Sequence, residues 1–204
     1  MLLAAVLASV VFSAQAQTVP KPKEFYFDED RAAVPVVAVS GVEGDALVDQ
    51  LVKARERGRK TIEATAQLAH IALTDGRVDL GRQLYQQALG SAQTGGTQWR
   101  SVSWNYGWDL YRLGEYPAAL QQWTPLIAVV GGASWVPPTL ALVLWKMGRK
   151  DEAVQWYGAA VRTEPLLWTD ARNYATLLPG WRQEDRDTLA EVLGAWQTNP
   201  PVWP

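Results

Sequence analysis

The sequence predicts an all-α fold: a right-handed α-solenoid of about three stacked helix pairs, closed by an N-terminal capping helix and a C-terminal capping helix pair. Three observations predict it. Gly76, Gly114 and Gly148 each end one helix-like run just before another, at separations of 38 and 34 residues. Behind each glycine a small residue and an aromatic recur at one offset: Gly81 and Tyr85, Ala119 and Trp123, Ala153 and Tyr157. The longer first interval has its extra residues in the loop Gly90–Thr97, between units. A glycine past a helix end supplies the left-handed cap that other residues resist. Small residues let backbones approach, and the aromatics fill the space opposite.

The middle unit carries the clearest pattern. Tyr106 to Tyr116, with Gly107 at the close-approach position, then Ala119 and Trp123, resembles the first helix, turn and second helix of a tetratricopeptide repeat. The next unit matches through Leu140, Ala141, Leu144, Gly148, Ala153, Tyr157, Ala160 and the closing Pro165. The first is weaker, with Leu68, Ala69, Ala72, Gly76, Gly81, Tyr85 and Ala88, a glycine at the usual alanine position and no closing proline. The resemblance covers residues 61–167. It implies a curved scaffold that binds other molecules and does no chemistry of its own, since each pair buries its apolar face only by stacking on its neighbours.

The remaining segments follow in order. Residues 1–16 form an apolar run ending Ala14-Gln15-Ala16, the small-x-small pattern of a cleaved signal peptide. Cleavage near Ala16-Gln17 implies a periplasmic or secreted protein, although no Lys or Arg stands near Met1. Residues 17–43 carry Pro20, Pro22 and Pro35 and the acidic run Asp28-Glu29-Asp30, and read as an extended arm. Residues 44–60 read as a capping helix with Leu47, Leu51 and Ala54 on one face. Pro137-Pro138 stands at a helix start, where proline is tolerated, whereas Pro125 lies inside a second helix and predicts a bend or early stop near Thr124. In residues 168–204 the apolar spacing predicts helices over 167–178 and 184–197, broken by Pro179-Gly180, then an extended tail in which Trp203 folds back onto apolar surface.

Tryptophan marks the functional face. All 11 tryptophans lie at or after Trp99. The resemblance implies that first helices line a concave groove. The groove-facing positions are then Glu63, Ala66, Gln67, His70, Leu73 and Thr74 in the first unit; Ser101, Trp104, Asn105, Trp108, Tyr111 and Arg112 in the second; and Trp135, Leu142, Trp145 and Lys146 in the third. The expected site is His70, Trp104, Asn105, Trp108, Tyr111, Arg112, Trp135, Trp145 and Lys146. Large rigid rings beside Arg and Lys suit a protein or peptide partner, or a sugar stacked on a ring. Some family members hold a chain-end carboxylate in this groove with Lys, Arg and Asn. Asn105 stands at the central asparagine site, but Ala66, Trp135 and Thr139 replace the flanking basic residues, which points to an apolar or aromatic-rich ligand instead.

Composition narrows the classes. No cysteine removes disulfides, thiol catalysis and lipid-modified cysteine, and a net charge of −2 gives no electrostatic reason to expect nucleic acid. No apolar run after residue 16 approaches membrane length. The single histidine, His70, and the groove carboxylate Glu63 form no catalytic or metal constellation, so neither an enzyme nor a cofactor is expected. The expected function is an exported, non-catalytic binding module for a protein or peptide, with an envelope or secretion assembly as its setting; the alternative is a glycan-binding protein assisting polysaccharide or peptidoglycan handling.

Overall fold

The structure, a computed structural model, describes residues 17–22 and 27–202. The expected leader and Trp203 lie outside the described residues. Among those described the fold is all-helical, a tetratricopeptide-like α-solenoid of helices packed in adjacent pairs. Helix α1 (Gly44–Arg57) lies on α2 (Thr61–Thr74), which pairs with α3 (Val78–Ser91). Helices α4 (Thr97–Arg112) and α5 (Tyr116–Val130) form the second pair, and α6 (Val136–Lys146) and α7 (Lys150–Thr163) the third. After the short turns α8 (Pro165–Trp168) and α9 (Tyr174–Leu177), the long α10 (Gln183–Thr198) packs on α6 and α7.

The three turns inside the pairs repeat in atomic detail. Gly76, Gly114 and Gly148 have φ of +76°, +79° and +76°. In each turn the glycine N–H donates to the residue three before it (Leu73, Tyr111, Trp145), and the next N–H reaches back to Ala72, Leu110 or Leu144. This pair of bonds satisfies carbonyls that a helix end otherwise leaves open. Tyr85, Trp123 and Tyr157 occupy matching places and are fully buried. Gly107 makes room for one of them: the Trp123 indole lies where a Cβ at residue 107 would stand, and its Nε1 donates to the Trp104 carbonyl at 3.1 Å.

Two local expectations need correction. Of the bend or early stop expected near Thr124, the stop is absent, because helix α5 continues through Pro125 to Val130. Both Pro125 and Gln121, whose carbonyl loses its helical donor, are exposed, so the loss falls on the solvent side of the helix. The single helix expected over 167–178 is divided into α8, a 3-10 turn at Ala171–Asn173, and α9. Polar side chains compete with the helix there. The Asp170 carboxylate accepts from Arg172 N–H at 2.9 Å, and Asn173 Nδ2 donates to the Leu167 carbonyl at 2.9 Å. Tyr157 also donates its hydroxyl to the Trp168 carbonyl at 2.5 Å, tying this segment to α7.

Candidate functional site

The arm lies across the first helices. Gln67 of α2 accepts from the N–H groups of Ala38 and Val39 at 2.8 and 3.1 Å and donates to the Val39 carbonyl at 2.9 Å. Asn105 of α4 accepts from Val36 N–H at 3.2 Å and donates to the Val34 carbonyl at 2.8 Å. Each amide thus reads main chain in both directions. Further along, buried Asp30 pairs with Arg100 at 3.2 Å and accepts from Trp135 Nε1 at 3.2 Å. Asp28 forms a single parallel bridge with Ala133 in the loop between the second and third pairs, and Phe27 stacks on Trp168 with ring centroids 5.8 Å apart. At the start of the arm, the Gln17 carbonyl accepts from Arg149 at 2.9 Å.

Beneath the arm is a cavity of about 660 Å³. Its walls come from the arm, α2, Tyr85 of α3, α4, Ser134 and Trp135 before α6, and the stretch 164–182. His70, Trp104, Asn105, Trp108, Arg112 and Trp135 of the expected site line it together. Trp108 is the hub of an aromatic cluster. Trp104, Tyr111, Trp123 and Trp181 surround it with centroids 5.2–6.1 Å away, mostly edge to face. The ring is nearly buried as a result, because Trp181 covers the face that helical spacing turns outward.

Three expected residues do not join them. Tyr111 turns into the core against Tyr116 and Trp123. Trp145 donates Nε1 to Glu191 of α10 at 2.8 Å, with the Lys150 ammonium 3.3 Å from its ring centroid, and neither it nor Lys146 lines the cavity. The docking of α10 on α6 draws Trp145 away from the other rings.

Sequence reasoning missed Asp109. This buried carboxylate accepts from Tyr85 hydroxyl at 2.6 Å and faces His70 Nδ1 at 2.9 Å. The bond to Asp109 raises the His70 pKa above its usual value, against the opposing effects of burial and of the Arg112 charge. Burial first, and then the same carboxylate, push the Tyr85 hydroxyl well above the ordinary phenol range. Trp168, Trp181 and Phe27 were also missed as wall residues, since nothing in the repeat stride points to them. Among the described residues, no group of three or more His, Cys, Asp or Glu side chains is placed to hold a metal, and no helix is long and apolar enough to cross a membrane.

Stacked helix pairs whose α2 and α4 hold an extended segment form a helical-repeat architecture. The sequence profile described as Tetratricopeptide repeat matches residues 101–123, which span most of α4 and the first half of α5. That match supports a tetratricopeptide repeat family, whose repeats generally mediate protein–protein interaction, and no catalytic family is indicated. No curated protein and no solved structure gives a significant match.

Proposed function

We propose that this chain is an exported, non-catalytic scaffold that docks a protein or peptide partner along the face formed by α2, α4 and α6, as a subunit of an envelope or secretion assembly. The observation that carries the reading is the pair of amides, Gln67 and Asn105, which grip the main chain of the arm rather than its side chains, a grip that a partner segment takes over by displacing the arm. Such a grip is indifferent to sequence, so any extended segment offers it the same groups. The cavity beside it supplies an anchor site of the size usual for a buried group. A second reading, glycan binding, draws on the indoles lining that cavity, which present flat apolar faces beside Arg112 and His70.

The test is photo-crosslinking in the native cell, with p-benzoylphenylalanine at His70 on the inner face or at Gln121 on the outer helix α5. A discrete protein adduct from position 70 and none from 121 is expected. Adducts from 121 alone remove the inner face from the account. Saturable binding of cell-wall glycan fragments without any adduct transfers the conclusion to the second reading. Export is tested by amino-terminal sequencing, which should begin at Gln17; a mature chain retaining Met1 contradicts it.

A further inference from the structure

The cavity contains an arrangement that docking of an extended chain does not use. The arm already engages the amides of Gln67 and Asn105 and the indole N–H of Trp135. Arg112, on the last turn of α4, is exposed and has no hydrogen bond or ion pair among the described residues; its guanidinium lies 5.4 Å from the centroid of the Trp108 ring. His70 is held by Asp109 through Nδ1 alone, so Nε2 faces away from that bond.

Arg112 and His70 lie within electrostatic reach of each other, and both line the cavity. Asp109 already offsets the charge of His70 on its Nδ1 side, so Arg112 is the cation left without a bonded carboxylate, and an anion placed beside it gains that attraction. Of the other charged groups lining the cavity, Asp109 is occupied by His70 and Tyr85, and Arg182 faces Glu184 at 3.4 Å, which leaves Glu164; Asp185, outside the lining, also lies within electrostatic reach of Arg112.

The remaining wall is largely aromatic. The indole N–H groups of Trp104, Trp108 and Trp168, three residues of this wall, are buried and have no acceptor among the described residues. A volume of about 660 Å³ is within the range of small-molecule sites.

We propose that this cavity binds a compact organic anion, with an aromatic or apolar body among the indoles and a carboxylate-like head at Arg112 and His70. The proposal goes beyond the docking of a partner chain. It stands if no protein adduct is found, and its failure leaves the crosslinking result untouched.

Isothermal calorimetry on the full mature chain tests it, using 1-naphthaleneacetate and its neutral isostere 1-naphthaleneacetamide. Saturable single-site binding of the acid is expected, with the amide at least tenfold weaker. Arg112→Gln should weaken the acid at least tenfold, while Arg59→Gln, an exposed change on the linker before α2, should leave it unaltered; circular dichroism checks that both variants remain folded. Absence of saturable heat with the acid, equal binding of acid and amide, or unchanged binding to folded Arg112→Gln each overturns the proposal.

Discussion

Gln67 and Asn105 occupy the same place in successive units, 38 residues apart like Gly76 and Gly114, and each grips the main chain of the arm through both ends of its amide. A repeat stride set by packing has thereby become a stride for holding a backbone. The third equivalent position is Thr139, which is buried and whose hydroxyl has no hydrogen-bond partner among the described residues, so the grip ends with the second unit.

Gly107→Ala tests the packing that sets the stride. A methyl group at 107 meets the indole of Trp123, which is fully buried and cannot move aside. Helix propensity alone favours alanine by about 1 kcal/mol, but overpacking a closed site costs about 1–3 kcal/mol. Urea denaturation should show net destabilisation. A stabilised variant would mean that α4 and α5 are not in close contact there.

His70 gives a clean titration, because it is the only histidine in the chain. Its folded pKa is raised above the ordinary 6.5, chiefly by the Asp109 hydrogen bond. The proton is therefore held more tightly in the folded state. The stability it contributes is fully present below about pH 6.5 and is lost as pH rises through the folded value. The side chain is half exposed, which keeps the effect small. The imidazole resonance should titrate above 6.5, and Asp109→Asn should bring it down; a midpoint at or below 6.5 in the native chain contradicts the contact.

The helix pairs were legible because their signals are local. A glycine cap, a small residue one turn later and an aromatic after that stand within one unit, so spacing alone reveals them. The path of the arm left no such trace. Its bonds use main-chain N–H and C=O groups that every residue has, and Asp30 meets Arg100 and Trp135 across 70 and 105 residues of chain. The fate of the rings was half legible. Helical spacing put Trp104, Trp108 and Arg112 on one face, but only the folded chain brings Trp181 over Trp108. Asp109 was invisible for a similar reason, since its partners His70 and Tyr85 come from the preceding unit.

Asp30→Asn tests how firmly the arm is held. Asp30 is 6% exposed and Arg100 24%, so removing the charge leaves Arg100 partly desolvated without its partner. Hydrogen bonds to charged groups contribute about 1.5–3 kcal/mol. A fall in stability of about 1–3 kcal/mol is expected, together with changed fluorescence from Trp135, whose indole N–H bonds the same carboxylate. Unaltered stability and fluorescence would show that the arm is not seated at this point.

Amide hydrogen exchange at Val36, Ala38 and Val39 tests the central claim most directly, because these N–H groups donate to Asn105 and Gln67 alone of all side chains. In the native chain all three should exchange at least tenfold more slowly than in an unstructured peptide. The double variant Gln67→Ala, Asn105→Ala should bring them to the unstructured rate while amides within α4 and α6 keep their protection. Unstructured rates at these three positions in the native chain, or protection that survives in the folded double variant, would contradict a pair of repeat amides that grips an extended main chain.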